Sequence, residues 1–273
     1  MALASKCTFK DSVFRLRNLM MLVMLYGLAP ACGDIERDNP LDPQHPESTR
    51  PQTVLIEAFV NINDSLQHNI NEYALAALDN LYSIHAPDVI IVDYHRNTLD
   101  YIDPYHRLQN ETLYQRYIGE FNAVSGVPDV FFNGTLARVQ GASSINHSIQ
   151  RIGGALQPFL NQNSPYALEI GYDRNGDQVI PRVTVARLNR PSLSEGDIII
   201  KALLVARIDN AFLRRVVRDD ASSSVQTISK GEVRNFTLPA LVIRESQFSH
   251  SLVVYITDRD EIEVFQCAVV EVE

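Results

Sequence analysis

Apolar positions follow one another almost without a break from Thr53 to Val60, TVLIEAFV, and the run stops at the polar turn Asn61-Ile-Asn-Asp. That pattern predicts a buried strand. Beyond it Leu66, Ile70, Tyr73, Ala74, Ala77, Leu78 and Leu81 recur at helical spacing and predict an amphipathic helix, with Asp64 and Ser65 as candidate N-caps. Asp88 to Tyr94, DVIIVDY, is a second continuous apolar run, suited to a central parallel strand, so the first crossover reads as a βαβ unit. His95, Arg96 and Asn97 then emerge at the end of that strand, where open α/β sheets tend to place binding residues. Asn110 to Phe121 predicts a second helix, with Leu113, Tyr117 and Phe121 four residues apart. The stretch Val124-Ser-Gly-Val-Pro-Asp-Val-Phe-Phe-Asn-Gly134 carries a short strand into a type I′ hairpin turn at Asn133-Gly134, which leads into Leu136 to Gln140. Ile145 to Leu160 predicts a third helix, with Ile145, Ile149, Ile152, Leu156 and Phe159 on one face.

From Tyr166 the period changes from helical to two. Tyr166, Leu168, Ile170 and Tyr172 alternate with Ala167, Glu169 and Gly171, and the turn Asp173-Arg-Asn-Gly-Asp177 leads into Val179 to Leu188. Further strands are predicted at Asp197 to Asp209, Glu232 to Ile243, Ser251 to Thr257 and Glu263 to Val272. Repeated strands without helices suggest an antiparallel β-sandwich. The chain therefore divides, in this reading, into an α/β domain over residues 53–163 and an all-β domain over 164–273.

The N-terminal 52 residues read differently. Residues 1–31 carry Lys6, Lys10, Arg15 and Arg17, then the short apolar run Leu19 to Ala31 interrupted by Gly27 and Pro30. Such a run suits a secretory leader better than a membrane span. Leu28-Ala29-Pro30-Ala31-Cys32 is similar to the bacterial lipobox, which makes Cys32 a lipidation site and the membrane a partner; ordinary cleavage after Ala31 is the alternative. With Gly33 in place of aspartate after the cysteine, that resemblance implies the outer membrane. Residues 32–52, with Pro40, Pro43, Pro46 and Pro51, form an extended tether. A formal net charge of −9 without a basic cluster argues against a nucleic-acid partner. Three cysteines, Cys7, Cys32 and Cys267, make neither a disulfide framework nor a zinc site.

The order βαβ, helix, Gly126-Val127-Pro128 loop with its hairpin, then helix resembles a thioredoxin-like domain, and Gly-Val-Pro resembles that fold's cis-proline loop. With the leader and the closing hairpin SLVVYI…VFQCAV, residues 53–273 resemble a family of bacterial outer-membrane lipoproteins that pair such a domain with a β-sandwich. The elbow of that family often carries C-x-x-C, where a helix N-terminus lowers the first thiol's pKa. Counted from Phe59, those positions hold Asp64 and Gln67 here, so disulfide exchange is not implied. What the resemblance does imply is a redox-inactive binding or scaffold module that uses no cofactor. Its groove is expected at Asn61, Asn63, Asp64, Gln67, His95, Val127 and Pro128, facing an extended polypeptide or another envelope protein. Two other functions stay open: an enzyme using Asp64 and His95 as an acid/base pair or as ligands, and a structural subunit of an outer-membrane assembly.

Weaker signals stand beside these. Asp173, Asn175 and Asp177 alternate as calcium-loop ligands do, but lack the distal glutamate of an EF-hand and read as a hairpin turn. His68, His95 and His106 have no spacing that requires a metal site. Ser125 lies outside any G-x-S-x-G context, and Cys267 reads as a small buried apolar group in the closing strand. Sequons at Asn63, Asn110, Asn133, Asn146 and Asn235 are coincidental beside a bacterial lipobox.

Overall fold

The computed structural model describes residues 39, 41–45, 47–188, 196–209 and 213–273; the leader, the lipobox and Cys32 lie outside the described residues. In chain order the elements are β1 (Arg50–Pro51), β2 (Val54–Val60), α1 (His68–His85), β3 (Val89–His95), α2 (Leu108–Glu120), β4 (Asp129–Phe132), β5 (Ala137–Gln140) and α3 (Ile145–Leu156). Then follow β6 (Asn163–Ser164), β7 (Tyr166–Asn175), β8 (Gln178–Arg187), β9 (Ile198–Asp209), β10 (Leu213–Val225), β11 (Val233–Thr237), β12 (Leu241–Val242), β13 (Ser249–Asp258) and β14 (Val264–Val272). The fold is rich in β-structure, and its principal sheet is mixed.

β2 and β3 pair in parallel from Val54↔Val89 to Val60↔His95, and every residue of both is buried. Continuous apolar runs are what a strand covered on both faces requires. Alternation decides the rest: Val54, Ile56, Ala58 and Val60 pack against Leu75, Leu78 and Leu81 of α1 and Ile152 and Leu156 of α3, while Leu55 and Phe59 meet Leu113, Tyr114 and Tyr117 of α2. Phe59 is the centre of the second cluster, with the rings of Tyr94 and Tyr114 each at 5.0 Å and Phe131 edge-on at 5.6 Å.

The sheet does not end where the α/β segment ends. Its strand order is β14-β13-β9-β10-β3-β2-β4-β5, with β10 running parallel to β3 at Val216↔Asp93. One apolar core accordingly joins Leu55, Phe59, Ile90 and Phe131 to Leu203, Val205, Val253, Tyr255 and Cys267. β7, β8, β11 and β12 form a separate four-stranded sheet. It packs through Val179, Val183 and Val185 onto Ile200, Ala202, Leu204, Leu252, Val254 and Ile256, which gives the C-terminal segment its two facing layers. One of those layers is thus the extension of the sheet begun by β2 and β3.

Local departures from the sequence reading have physical causes. β10, LRRVVRDDASSSV, carries too many charged and small polar residues for a strand to show in its pattern, and a bulge between Val217 and Asp219 breaks its alternation. α2 begins at Leu108, and α3 ends at Leu156, after which Phe159 still stacks on Phe132 with ring centroids 6.2 Å apart. Asn133 and Gly134 both have positive φ, as the turn reading requires, but the loop between Phe132 and Ala137 holds four residues. The extra length serves a contact across the sheet. Val264 N–H donates to Asn133 O at 3.0 Å, Thr135 N–H donates to Ile262 O at 2.8 Å, and Leu55 N–H donates to Asn133 Oδ1 at 2.8 Å. A Cβ on Gly134 would lie 2.4 Å from Ile262 O, so no other residue fits there.

Candidate functional site

Three loops meet at the C-terminal ends of β2 and β3. The elbow after β2 is fastened to the loop after β3: Asn61 Nδ2 donates to Thr98 Oγ1 at 3.1 Å and to Tyr101 O at 3.0 Å, Ile62 N–H donates to Asp103 Oδ2 at 2.9 Å, and Asn63 Nδ2 donates to Ile102 O at 2.9 Å. Asp64 is the hinge of the elbow. Its Oδ1 accepts from the N–H groups of Leu66 and Gln67 at 3.1 and 3.0 Å, and its Oδ2 accepts from the Thr98 hydroxyl at 2.8 Å. Asp64 therefore closes an Asx turn ahead of α1, and Gln67, not Asp64 or Ser65, is the N-cap residue, with no side-chain cap bond.

His95 and Asp103 lie below this surface, both fully buried side chains, with His95 Nδ1 2.9 Å from Asp103 Oδ2. Burial alone raises a carboxyl's pKa, but the hydrogen bond and charge of His95, with the N–H groups of Tyr105 and Ile62, outweigh it and hold Asp103 below the ordinary value. His95 Nε2 has no hydrogen-bond partner among the described residues. The pair pins the loop of residues 97–106 to the end of β3.

The third loop is held by Arg96. Its guanidinium lies 3.6 Å from the centroid of the Tyr114 ring, bridges both oxygens of Glu111 at 3.0 and 2.8 Å, and donates to Ser125 Oγ at 3.1 Å. Burial raises the Glu111 carboxyl and the Arg96 bond and charge overcome that, leaving it below its ordinary value. Tyr114 Oη accepts from Gly126 N–H at 2.8 Å and lies 2.9 Å from Asp129 Oδ2, which Arg138 also holds at 2.6 Å. A Cβ on Gly126 would come within 2.6 Å of Gln140 Nε2. The Val127–Pro128 bond is cis, Pro128 O accepts from Gly141 N–H at 2.8 Å, and no described residue takes up the N–H or C=O of Val127.

Asp64 and Gln67 from the elbow, Arg96 to Leu99 after β3, Ser125 to Val127, and Gln140 of β5 surround an open groove of about 530 Å³. Of the seven residues expected there, Asp64, Gln67 and Val127 line it. Asn61, His95 and Pro128 are buried and are not among the residues that surround it, and Asn63 is exposed and engaged with Ile102. The sequence places Arg96 and Asn97 at the strand end but gives no sign that Arg96 reaches Glu111 and Ser125. Leu99, which lines the groove, is 99% exposed, and Val124 and Leu66, next in sequence to the lining residues Ser125 and Gln67, are 82% and 79% exposed. A separate cavity of about 90 Å³ between Tyr82, Arg215 and Val269 shares no lining residue with it.

The remaining candidates are scattered. Asp64 faces the groove while His95 is buried against Asp103, so the two do not share a cavity. His68 is exposed and 3.3 Å from Glu72 on the same helix. Among the described residues no three His, Cys, Asp or Glu side chains are grouped to hold a metal ion. Asp173 pairs with Arg182, and Asn175 and Gln178 close the β7–β8 hairpin around Gly176. Cys267 is buried, its Sγ lies 3.2 Å from Thr53 O, and burial pushes the thiol far above its ordinary pKa.

No family model matches the chain, and no curated protein matches it in sequence. Among solved structures it resembles HBP35 of Porphyromonas gingivalis, with a TM-score of 0.55 and 10% identity over 81% of this chain and 76% of that one. It also resembles the protein AGR_C_4864 from Agrobacterium tumefaciens, with a TM-score of 0.52 and 15% identity over 81% of this chain and 95% of the other. At such identities the likeness is one of fold, and function has to be argued from the groove itself.

Proposed function

We propose that the chain is an exported, lipid-anchored envelope protein whose thioredoxin-like segment, residues 53–163, presents a redox-inactive groove for extended polypeptide, braced by the C-terminal strands. The observation that carries the reading is the groove at which the elbow, the loop after β3 and the Gly-Val-Pro loop meet, with Val127 in its lining and the Val127 N–H and C=O taken up by no described residue. A free N–H and C=O side by side are what an extended chain needs to add itself as a strand, with side-chain pockets supplying selectivity. The charged groups facing the groove are already paired, Arg96 with Glu111 and Asp64 with Thr98 and two N–H groups. Recognition then falls to backbone hydrogen bonds and to the apolar side chains of Leu66, Leu99 and Val124.

The elbow positions Asp64 and Gln67 supply no thiol, so disulfide exchange is not part of this function. The address rests on the basic leader and on Cys32 at the end of its apolar run. Two acyl signals anchor far more firmly than one.

The test is a titration of the purified chain with fluorescently labelled extended peptides of alternating valine and threonine. Leu99→Asp and Gln67→Arg, both at positions open to the groove, are expected to weaken binding about tenfold each, which corresponds to about 1.4 kcal/mol. Binding unaffected by either substitution, or no binding to any such peptide, would remove the reading.

A further inference from the structure

Glu57 is the one glutamate in the middle of a fully buried central strand, and the groove does not use it. It points to the α2 side of the sheet, into the core shared by the two segments. Tyr117 of α2 donates to its Oε2 at 2.8 Å, while Oε1 has no hydrogen-bond partner among the described residues. The groups facing it come from every element packed there: Tyr94 of β3, Tyr117 of α2, Lys201 of β9, Tyr255 of β13, Glu261 in the β13–β14 turn and Cys267 of β14. The hydroxyls of Tyr94 and Tyr255 are also buried without a partner among the described residues. Above them Glu261 binds Lys201 at 2.5 Å and Arg116 of α2 at 2.8 Å. This triad ties α2 to the C-terminal strands.

We propose that this cluster is a proton-operated latch between α2 and the C-terminal strands, closed when Glu57 carries its proton and loosened when it ionises. A protonated carboxyl can donate from one oxygen towards a tyrosine hydroxyl while accepting from Tyr117 on the other. Ionisation leaves a buried negative charge whose nearest cation, Lys201, is already bound to Glu261. Such a charge is costly unless it captures a counter-ion. Drawing Lys201 inward would take it from Glu261 and leave that carboxylate to Arg116 alone. A pocket of about 30 Å³, with room for about one water, is lined by Tyr94 and Lys201 of the cluster together with Asn110, Leu113 and Leu203.

The electrostatics of the cluster bear on the pH at which the change falls. Burial pushes the Glu57 carboxyl from 4.5 up to about 7, against the opposing hydrogen bond of Tyr117 and the charge of Lys201. A group whose folded pKa is raised favours the closed state below the open-state pKa and loses that preference as pH rises to the folded value. With 4.5 open and about 7 closed, opening should rise on the order of thirtyfold between about pH 5.5 and pH 8.5.

The measurement is amide hydrogen exchange of the purified chain over that pH range, corrected for the intrinsic rate of exchange. In the wild type, amides of α2 and of residues 255–264 are expected to lose protection by about that factor. In Glu57→Gln, which keeps an uncharged side chain of the same shape, the loss should be absent. Equal pH dependence in the two proteins would overturn the proposal. A carboxyl-carbon NMR titration of wild-type Glu57 tests the same point without a variant: a midpoint near 7 is expected, and one in the ordinary glutamate range would overturn it.

Discussion

Removing the Arg96 side chain should loosen the groove wall and destabilise the chain together, because one guanidinium holds three elements. Arg96 leaves β3, pairs with Glu111 of α2, stacks on Tyr114 and binds Ser125 of the Gly-Val-Pro loop. Losing one partner of a fully buried ion pair costs about 3–5 kcal/mol. The Glu111 side chain is 29% exposed, so water relieves part of that penalty. The stacking on Tyr114 adds about 1 kcal/mol at a partly desolvated site. Arg96→Ala should therefore cost about 2–3 kcal/mol in total, read from urea unfolding followed by far-ultraviolet circular dichroism. Glu111→Gln should cost less, about 1–2 kcal/mol, since the amide keeps one hydrogen bond to Arg96.

The pH dependence gives the sharper check. The Glu111 carboxyl is held below its ordinary value, so its contribution is present above pH 4.5 and disappears as pH falls through the lowered folded value. The stability gap between wild type and Glu111→Gln should close in acid. If Arg96→Ala unfolds within about 0.5 kcal/mol of wild type, the range expected of ordinary surface changes, or if that gap is unchanged at pH 3, the anchoring role is refuted.

Asp103→Ala removes the carboxylate that holds Ile62 N–H, Tyr105 N–H and His95. It should cost about 3 kcal/mol and raise hydrogen exchange throughout residues 97–106. Asp103 is likewise held below its ordinary value, so this contribution should be full above pH 3.8 and fade as pH falls through its folded pKa. Cys267, buried and with its thiol pushed up, should resist thiol reagents in the native chain at pH 8 and react fully in 6 M guanidinium. Rapid modification of the native protein would place it elsewhere.

The parts of the fold that were legible are those where one residue pattern has one structural outcome. The apolar runs of β2 and β3 leave no polar face, so they had to be central strands, and the four-residue spacing in α3 allowed only a helix packed on one side. The alternation from Tyr166 announced β7 and β8 equally directly. β10 was not legible, because Arg214, Arg215, Arg218, Asp219 and Asp220 mask a strand that gains its place by pairing with β9 and β3. The joining of the two segments in one sheet was hidden for the same reason, since pairing between strands more than a hundred residues apart leaves no local mark. At the groove, the resemblance of the elbow and of the Gly-Val-Pro loop pointed to Asp64, Gln67 and Val127, which line it. Position along the chain also suggested His95, yet alternation along β3 turns that residue inward, towards Asp103, and presents Arg96 to the groove instead.

Polypeptide recognition by the groove is tested most directly by the amide-exchange footprint of the purified chain saturated with an extended peptide of alternating valine and threonine. The account predicts slowed exchange at residues 64–67, 96–99 and 125–127, with the Val127 amide among the most protected. Binding that leaves those three segments unchanged, or protects the outer face of the four-stranded sheet instead, would contradict it.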